Sequence, residues 1–273
     1  LQPLLADSTE LMEKCLPKTR KNSSGYRIDN VLKNEKLNLA QLMAASEGTL
    51  GIFTGFELKV ATQPKTAGML LLMFNSVQAA CDAVPQIAAY DPSMLEIMES
   101  TFIDLVRQSA FDVGVPFPMN LKSLLLVEFD GDTSEEVNEK IFELEKLLVG
   151  PGRLAMGARR GVQEDERNRL EKVRKAASPI LNRYPPPHRP VKFIEDTAVP
   201  VQHLPEYIRK LHRIFSKHDL HSVIYGHAGD GHIHVNPLMD MNDSGLYSTM
   251  EIIADKTYEL VQEFGGTLSG EHG

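Results

Sequence analysis

Cysteine is scarce in this chain. Cys15 and Cys81 are the only two, which excludes a zinc ribbon, a cysteine-ligated iron–sulfur cluster and a disulfide framework within the chain and fits a reducing compartment. Long hydrophobic runs are missing as well. The longest, "GMLLLMF" at 68–74, falls far short of the ~20 residues a bilayer helix needs and predicts a buried strand. Positive charge is not in excess. The formal net charge is −8, which argues against a nucleic-acid partner, because phosphate binding wants a basic face. "LQPLLADSTELMEKCLPK" lacks a basic start followed by an apolar core, so no signal peptide is expected. The expected location is the cytoplasm, with attachment at the inner face of the membrane through a partner as the alternative. The first residue is not Met and the last stretch is a bare "SGEHG"; both ends are expected to be cuts through a longer protein. No solenoid repeat and no low-complexity tract is visible.

What is present is ordinary globular composition, 42% hydrophobic and 24% charged, over 273 residues, a length that allows two domains. "NLAQLMAAS" (38–46) predicts a short helix and "EGTLGIFTGFELKV" (47–60) a strand. From about residue 67 a strand–helix–strand unit is visible: "AGMLLLMFN", a helix capped by Ser76, then "PSMLEIME". A helix over 99–109 follows. The unit then recurs as "SLLLVEFDG" (123–131), a helix over 133–149 and "GRLAMGA". In that helix Val137, Ile141, Leu144 and Leu148 make one apolar face, and Thr133 with Glu136 predicts a capping box. A long helix over about 163–183 is stopped by the prolines of "YPPPHRP". A strand (191–199), an amphipathic helix (204–218), a strand–glycine turn–strand and a helix ended by Gly265 and Gly266 complete the chain. The basic residues of "RLAMGARR" and "ERNRLEKVRK" read mainly as a solvated face. The expected class is α+β: a ferredoxin-like split β-α-β arrangement in which helices cover one face of an antiparallel sheet.

Chemistry concentrates in "YGHAGDGHIHVN" (225–236), with three of the nine histidines. His232 and His234 are two apart on a strand, so both leave one face, a common way to present two imidazoles to a metal. His227 lies across the turn. Asp230 in the Gly-Asp-Gly turn reads more simply as a group bonding nearby backbone N–H. His188, His203, His212, His218 and His221 are read as loop or helix-surface residues without a role. A second cluster closes the chain, "GGTLSGEHG" (265–273), where Glu271 and His272 are adjacent. On extended backbone they diverge, so one can face a metal and the other a substrate. A carboxylate with two imidazoles leaves open positions on a divalent ion.

"SEGTLGIFTGFELKV", "YGHAGDGHIHVNP" and "GGTLSGEHG" together resemble the FAD-linked oxidase family, which contains D-lactate dehydrogenases, the glycolate oxidase flavoprotein subunit and D-2-hydroxyglutarate dehydrogenase. The resemblance runs from about residue 17 to the end. It implies that residues 1–64 are the C-terminal part of an FAD-binding domain of the vanillyl-alcohol-oxidase type and that 65–273 are the substrate, or cap, domain. Ser46, Glu47, Gly48, Thr49, Gly51 and Ile52 then fall in the flavin-binding segment. His227, His234 and Glu271 match the ligands of a divalent metal (zinc, iron or manganese), and His272 matches the general base. Arg174, Ser178 and Lys192 match positions that grip the substrate carboxylate, and Asn236 a position near flavin and substrate. The family usually has asparagine where this chain has His232, which is accordingly expected either behind the metal ligands or facing the substrate, and often glycine where this chain has Ala45.

The implied activity is oxidation of a D-2-hydroxy acid to the 2-oxo acid. Its electrons would leave to a quinone, an electron-transfer flavoprotein or an iron–sulfur subunit or domain. Three alternatives remain at this level: a non-catalytic cap fragment, expected to be colourless; a metal-dependent hydrolase, against which "SEGTLGI" speaks; and a metal-free relative.

Overall fold

The computed structural model describes residues 1–29, 31–34, 36–109 and 113–273. Two short helices, α1 (Gln2–Asp7) and α2 (Thr9–Cys15), a two-residue hairpin of β1 (Leu32–Lys33) and β2 (Lys36–Leu37), and α3 (Leu39–Met43) precede the main sheet. The strand expected over 47–60 does not form. A strand needs a ladder partner, and among the described residues this segment has none. Its alternating Ile52, Phe56, Leu58 and Val60 remain exposed.

The main sheet starts with β3 (Thr66–Phe74), α4 (Val77–Ala88) and β4 (Met94–Glu99). After α5 (Ser100–Gln108) come β5 (Ser123–Gly131), α6 (Ser134–Leu148) and β6 (Gly157–Gly161). These strands lie side by side as β6-β3-β5-β4, so the two strand–helix–strand units interleave, with every pairing antiparallel. β6 begins later than expected, because Gly150 and Gly152 at positive φ turn the chain over the residues assigned to its start. Ser76 accepts from the Ala79 N–H as predicted. Thr133 accepts from Glu136 N–H at 3.2 Å, one half of the expected box.

The expected helix over 163–183 is two, α7 (Glu164–Lys175) and α8 (Ala177–Leu181), joined at Ala176. Pro179 has no N–H for the Lys175 carbonyl, which is where the ladder breaks. The strand expected over 191–199 is reduced to β8 (Asp196–Ala198), with β7 (His188–Pro190) upstream. Then follow α9 (Leu204–Lys217), β9 (Ser222–Gly226), β10 (His232–Asp240) and α10 (Leu246–Glu263). β9 joins β4, and β10 pairs with β9, β8 and β7.

Helices cover both faces of this sheet, not one. On the first face Leu70, Leu72, Ile97, Val127, Ile224, Ile233 and Val235 pack against α4, α6, α9 and α10. On the second, Met69, Leu71, Met98, Leu124, Leu126 and Val223 pack against α5, α7 and α8. Strands buried on both faces read as continuous apolar runs, so periodicity could not reveal the second layer. Among the described residues no helix is long and apolar enough to cross a membrane.

His212, expected to be an idle surface residue, sits with Nε2 3.0 Å from Oε2 of the buried Glu99. Burial would lower its pKa, but the hydrogen bond and charge of Glu99 outweigh that and raise it above the ordinary 6.5. The pair's contribution to stability is therefore complete below 6.5 and lost as pH rises through the raised folded value. His212→Gln is expected to flatten the dependence of Tm on pH between about pH 6 and 8. Equal slopes for the two proteins in thermal denaturation would contradict this.

Candidate functional site

The site lies on the second face of the sheet, at the β9–β10 end. Period-two alternation sends Ile233 and Val235 into the first-face core and turns His232, His234 and Asn236 to the other side. His227 enters from the β9–β10 turn. Glu271 arrives from the C-terminal segment, which is laced to residues 18–24. Lys18 N–H donates to Gly265 O, Ser23 N–H to Ser269 O, and Ser269 N–H to Ser24 Oγ. The "KNSSGY" and "GGTLSGEHG" stretches thus run along each other.

His227, His232, His234 and Glu271 each present one ligand atom within 4.8 Å of the others. His227 Nε2 is 3.5 Å, and His232 Nδ1 3.9 Å, from Glu271 Oε1. Ring centroids are 5.3 Å apart for His227–His232, 5.4 Å for His227–His234 and 4.8 Å for His232–His234. Spacing had paired His232 with His234, and the resemblance had paired His227 with His234; the chain brings all three together. His232 is fully buried, with its ring between those of His227 and His234.

Carboxylates that the sequence did not single out surround the rings. Glu96, on β4 and 4% exposed, accepts from His227 Nδ1 at 2.7 Å and pairs with Arg174 Nε at 3.1 Å. Taking up Nδ1 turns His227 Nε2 toward Glu271, the arrangement by which outer carboxylates fix metal-bound histidines. Burial raises the Glu96 pKa, but His227 and Arg174 more than reverse this and hold it low.

Asp196 accepts from His232 Nε2 at 2.6 Å, His272 N–H at 2.8 Å, Glu271 N–H at 3.2 Å and the Ser269 hydroxyl. Burial again opposes its ionisation, and these donors outweigh it and lower its pKa. Asp196, His234 and His272 also cluster, but the Asp196 oxygens are already taken by these donors. Burial and the neighbouring His234 lower the His232 pKa. Glu195 accepts from His272 Nδ1 at 2.6 Å. Lys21 binds Glu271 and lies 3.1 Å from Asp230, which also faces Arg20 at 3.4 Å. The Asp230 side chain thus meets cations and not the turn backbone. Burial tends to raise the Glu271 pKa; Lys21 and His227 lower it overall.

His272 is stacked on His234, centroids 5.7 Å apart and planes at 18°, and is half exposed. Asn236 is buried beneath, its Oδ1 without a partner. Arg174 reaches the cluster through Glu96. Ser178 is exposed on α8, and Lys192 is exposed with Nζ 3.9 Å from Glu195 Oε2; no contact joins either to the imidazoles among the described residues. Beside His227 is a cavity of about 280 Å³ walled by Arg20, Lys21, Met94, Glu96 and Asp230. The missed residues carried no sequence signal. Glu96 sits in an apolar strand like any edge charge, and Glu195 and Asp196 lie in a stretch with no histidine beside them.

The donor set suits a divalent cation. His232 Nδ1 is buried without a hydrogen-bond partner, His234 Nδ1 lies 3.4 Å from Glu195 Oε2, and imidazole with carboxylate is a common first-row metal set. In the 46–52 segment Ser46 Oγ is buried and unpartnered, and Gly48, at φ +76°, has open space where a side chain would be. A flavin phosphate or ring can approach such backbone closely. Thr49 donates to Ser46 O, Gly51 is half-buried beside Met43, and Ile52 is 92% exposed. Ala45 stands at φ +59°, a conformation that favours glycine, which explains why a glycine suits this position. Glu47 packs against Gly273, bringing this segment beside His272.

The chain belongs to a known family, the FAD linked oxidases, C-terminal domain, which it matches over residues 63–273. It is 32% identical over 246 residues to the glycolate oxidase subunit GlcD of Escherichia coli (strain K12), covering 89% of this chain and 47% of the relative. It is 27% identical over 276 residues to the D-2-hydroxyglutarate dehydrogenase of Pantoea ananatis (strain AJ13355), covering 97% and 27%. With the D-lactate dehydrogenase of Anaerostipes hadrus the identity is 27%, covering 93% and 51%. The chain thus spans about a quarter to a half of the length of these curated relatives. Among solved structures, alkyldihydroxyacetonephosphate synthase matches with a TM-score of 0.53 at 16% identity, covering 86% of this chain and 46% of that one. A 4-ethylphenol oxidase from Gulosibacter chungangensis matches at 0.51 and 12%, covering 76% and 46%. At these identities the likeness is one of fold.

Proposed function

We propose that this chain is the ferredoxin-like cap domain, with residues 1–64 contributed by an FAD-binding domain, of an FAD-dependent enzyme that oxidises a D-2-hydroxy acid to the 2-oxo acid. The observation that carries this is the meeting of His227, His234 and Glu271 in one cluster, with His272 stacked over it and the 46–52 segment alongside. The named relatives act on glycolate, D-2-hydroxyglutarate and D-lactate, which supports a small 2-hydroxy acid as substrate.

His227, His234 and Glu271 would hold a zinc, iron or manganese ion, and Ser46–Ile52 would contact the flavin. When bound, the cation supplies Lewis acidity toward the substrate hydroxyl, and the flavin supplies a two-electron acceptor for the C2 hydride. The chain's own residues bind, orient and move the proton. Arg174 offers a fork for the substrate carboxylate, with Lys192 as a second cation and Ser178 as a hydroxyl donor, and Asn236 offers a buried amide. His272 donates Nδ1–H to Glu195, which leaves Nε2 to accept the hydroxyl proton while the carboxylate steadies the imidazolium. Electrons would pass on to a quinone, an electron-transfer flavoprotein or an iron–sulfur partner.

In the enzyme carrying the complete FAD-binding domain, Glu271→Gln is expected to weaken metal binding by more than about 100-fold, beyond what loss of an outer-shell partner costs, and to abolish turnover. His272→Ala is expected to keep the metal and lose turnover by about 100-fold or more, the range of a general base. Metal analysis and 2-oxo acid formation from D-lactate, glycolate and D-2-hydroxyglutarate measure both. Normal turnover by His272→Ala would remove the base assignment, and a metal-free, fully active enzyme would remove the metal.

A further inference from the structure

We propose that His232 is a fourth protein ligand of this cation, through Nδ1, so that the donor set is three imidazoles and one carboxylate. The inference rests on the cation site proposed above and assigns a ligand that the family resemblance does not. His232 is fully buried. Its Nε2 lies 2.6 Å from Asp196 Oδ1. An ionised carboxylate only accepts, so Nε2 carries the hydrogen and the neutral ring presents its lone pair at Nδ1. That Nδ1 has no hydrogen-bond partner and faces Glu271 Oε1 at 3.9 Å, inside the group formed with His227 and His234. The buried His232 Nδ1 is thus left without a donor, and a cation between it and the Glu271 carboxylate, which Lys21 already binds, would satisfy it. A carboxylate behind a metal-bound imidazole also fixes its tautomer and raises its basicity. Asp196 stands there for His232 as Glu96 does for His227.

The fourth ligand restricts the kind of ion. Zinc with four protein ligands makes a closed tetrahedral site, which leaves no position for the hydroxyl and carboxylate oxygens of a 2-hydroxy acid. A first-row ion that accepts six ligands, such as manganese(II), iron(II) or cobalt(II), keeps two positions open beside the same four side chains. A site with these four protein ligands and a bound 2-hydroxy acid would therefore call for an ion of the six-coordinate class.

The metal-free 273-residue chain, titrated with manganese(II) and followed by the electron paramagnetic resonance of the free ion, tests this. His232→Ala is expected to bind manganese at least about 10-fold more weakly and to recover affinity when free imidazole fills the vacated space. X-ray absorption of the manganese-loaded wild-type chain, which needs no variant, is expected to count three imidazoles. Two imidazoles in the wild type, or His232→Ala affinity within twofold of it, overturns the fourth ligand and leaves the cation site standing. A wild-type chain that takes up no manganese, cobalt or zinc overturns the cation site and the fourth ligand with it.

Discussion

Gly231→Ala is expected to lower Tm by roughly 8–15 °C, at about 2–4 °C per kcal/mol for a chain of this size. Gly231 stands at φ +67°, and a Cβ there would lie 1.8 Å from the carbonyl oxygen of Val199. No side chain can swing away, because the obstacle is backbone. The same crossing is held by a hydrogen bond from Val199 N–H to Gly231 O at 2.9 Å, so separating the segments breaks a contact as well. The left-handed conformation costs alanine about 1–2 kcal/mol, and forcing backbone apart adds about 1–3 kcal/mol, for a total of about 4 kcal/mol. His232 follows directly, so metal affinity is expected to fall together with stability. Thermal denaturation with metal titration checks both, and a Tm within about 2 °C of wild type would show that the crossing yields easily.

Asp196→Ala is expected to cost about 3–4 kcal/mol, which is again close to 10 °C in Tm. The carboxylate gathers the His232 ring, the Ser269 hydroxyl and the N–H groups of Glu271 and His272. The last two lie near solvent and can turn to water. The His232 Nε2–H and the Ser269 hydroxyl are buried and cannot, so each leaves a donor costing about 1–3 kcal/mol. The C-terminal segment also loses its anchor, so Glu271 and His272 are expected to become mobile. Asp196→Asn, which keeps one acceptor, is expected to fall between the two. Hydrogen exchange of the Glu271 and His272 amides distinguishes this from a general loss of stability: protection lost at 271–272 and kept in β3 and β5 is the expected pattern. Unchanged protection at 271–272 would mean that residues 18–24 hold the segment without Asp196.

Much of the fold could be read from residue order because its causes are local. The cap at Ser76, the apolar stripe Val137–Ile141–Leu144–Leu148 and the strands around the glycine turn all depend on neighbours a few residues away. The misassigned pieces depended on distant partners. Residues 47–60 alternate like a strand but have nothing to pair with among the described residues, and the layer of α5, α7 and α8 on the second face leaves no trace in a doubly buried strand. The helix break at Ala176 was in principle visible in Pro179.

The candidate site divides the same way. Residue order alone named the rings, the terminal Glu271–His272 pair and, through resemblance, the chemistry to expect, because strand alternation and adjacency are written into the chain. Packing was needed to bring Glu96, Glu195 and Asp196 behind the rings, to lay Lys21 on Glu271, and to set three imidazoles around one point where two candidate pairs had competed. The reason is physical: which nitrogen of a histidine faces inward is set by the carboxylate on its other side, and that carboxylate comes from a strand some 36 to 131 residues away.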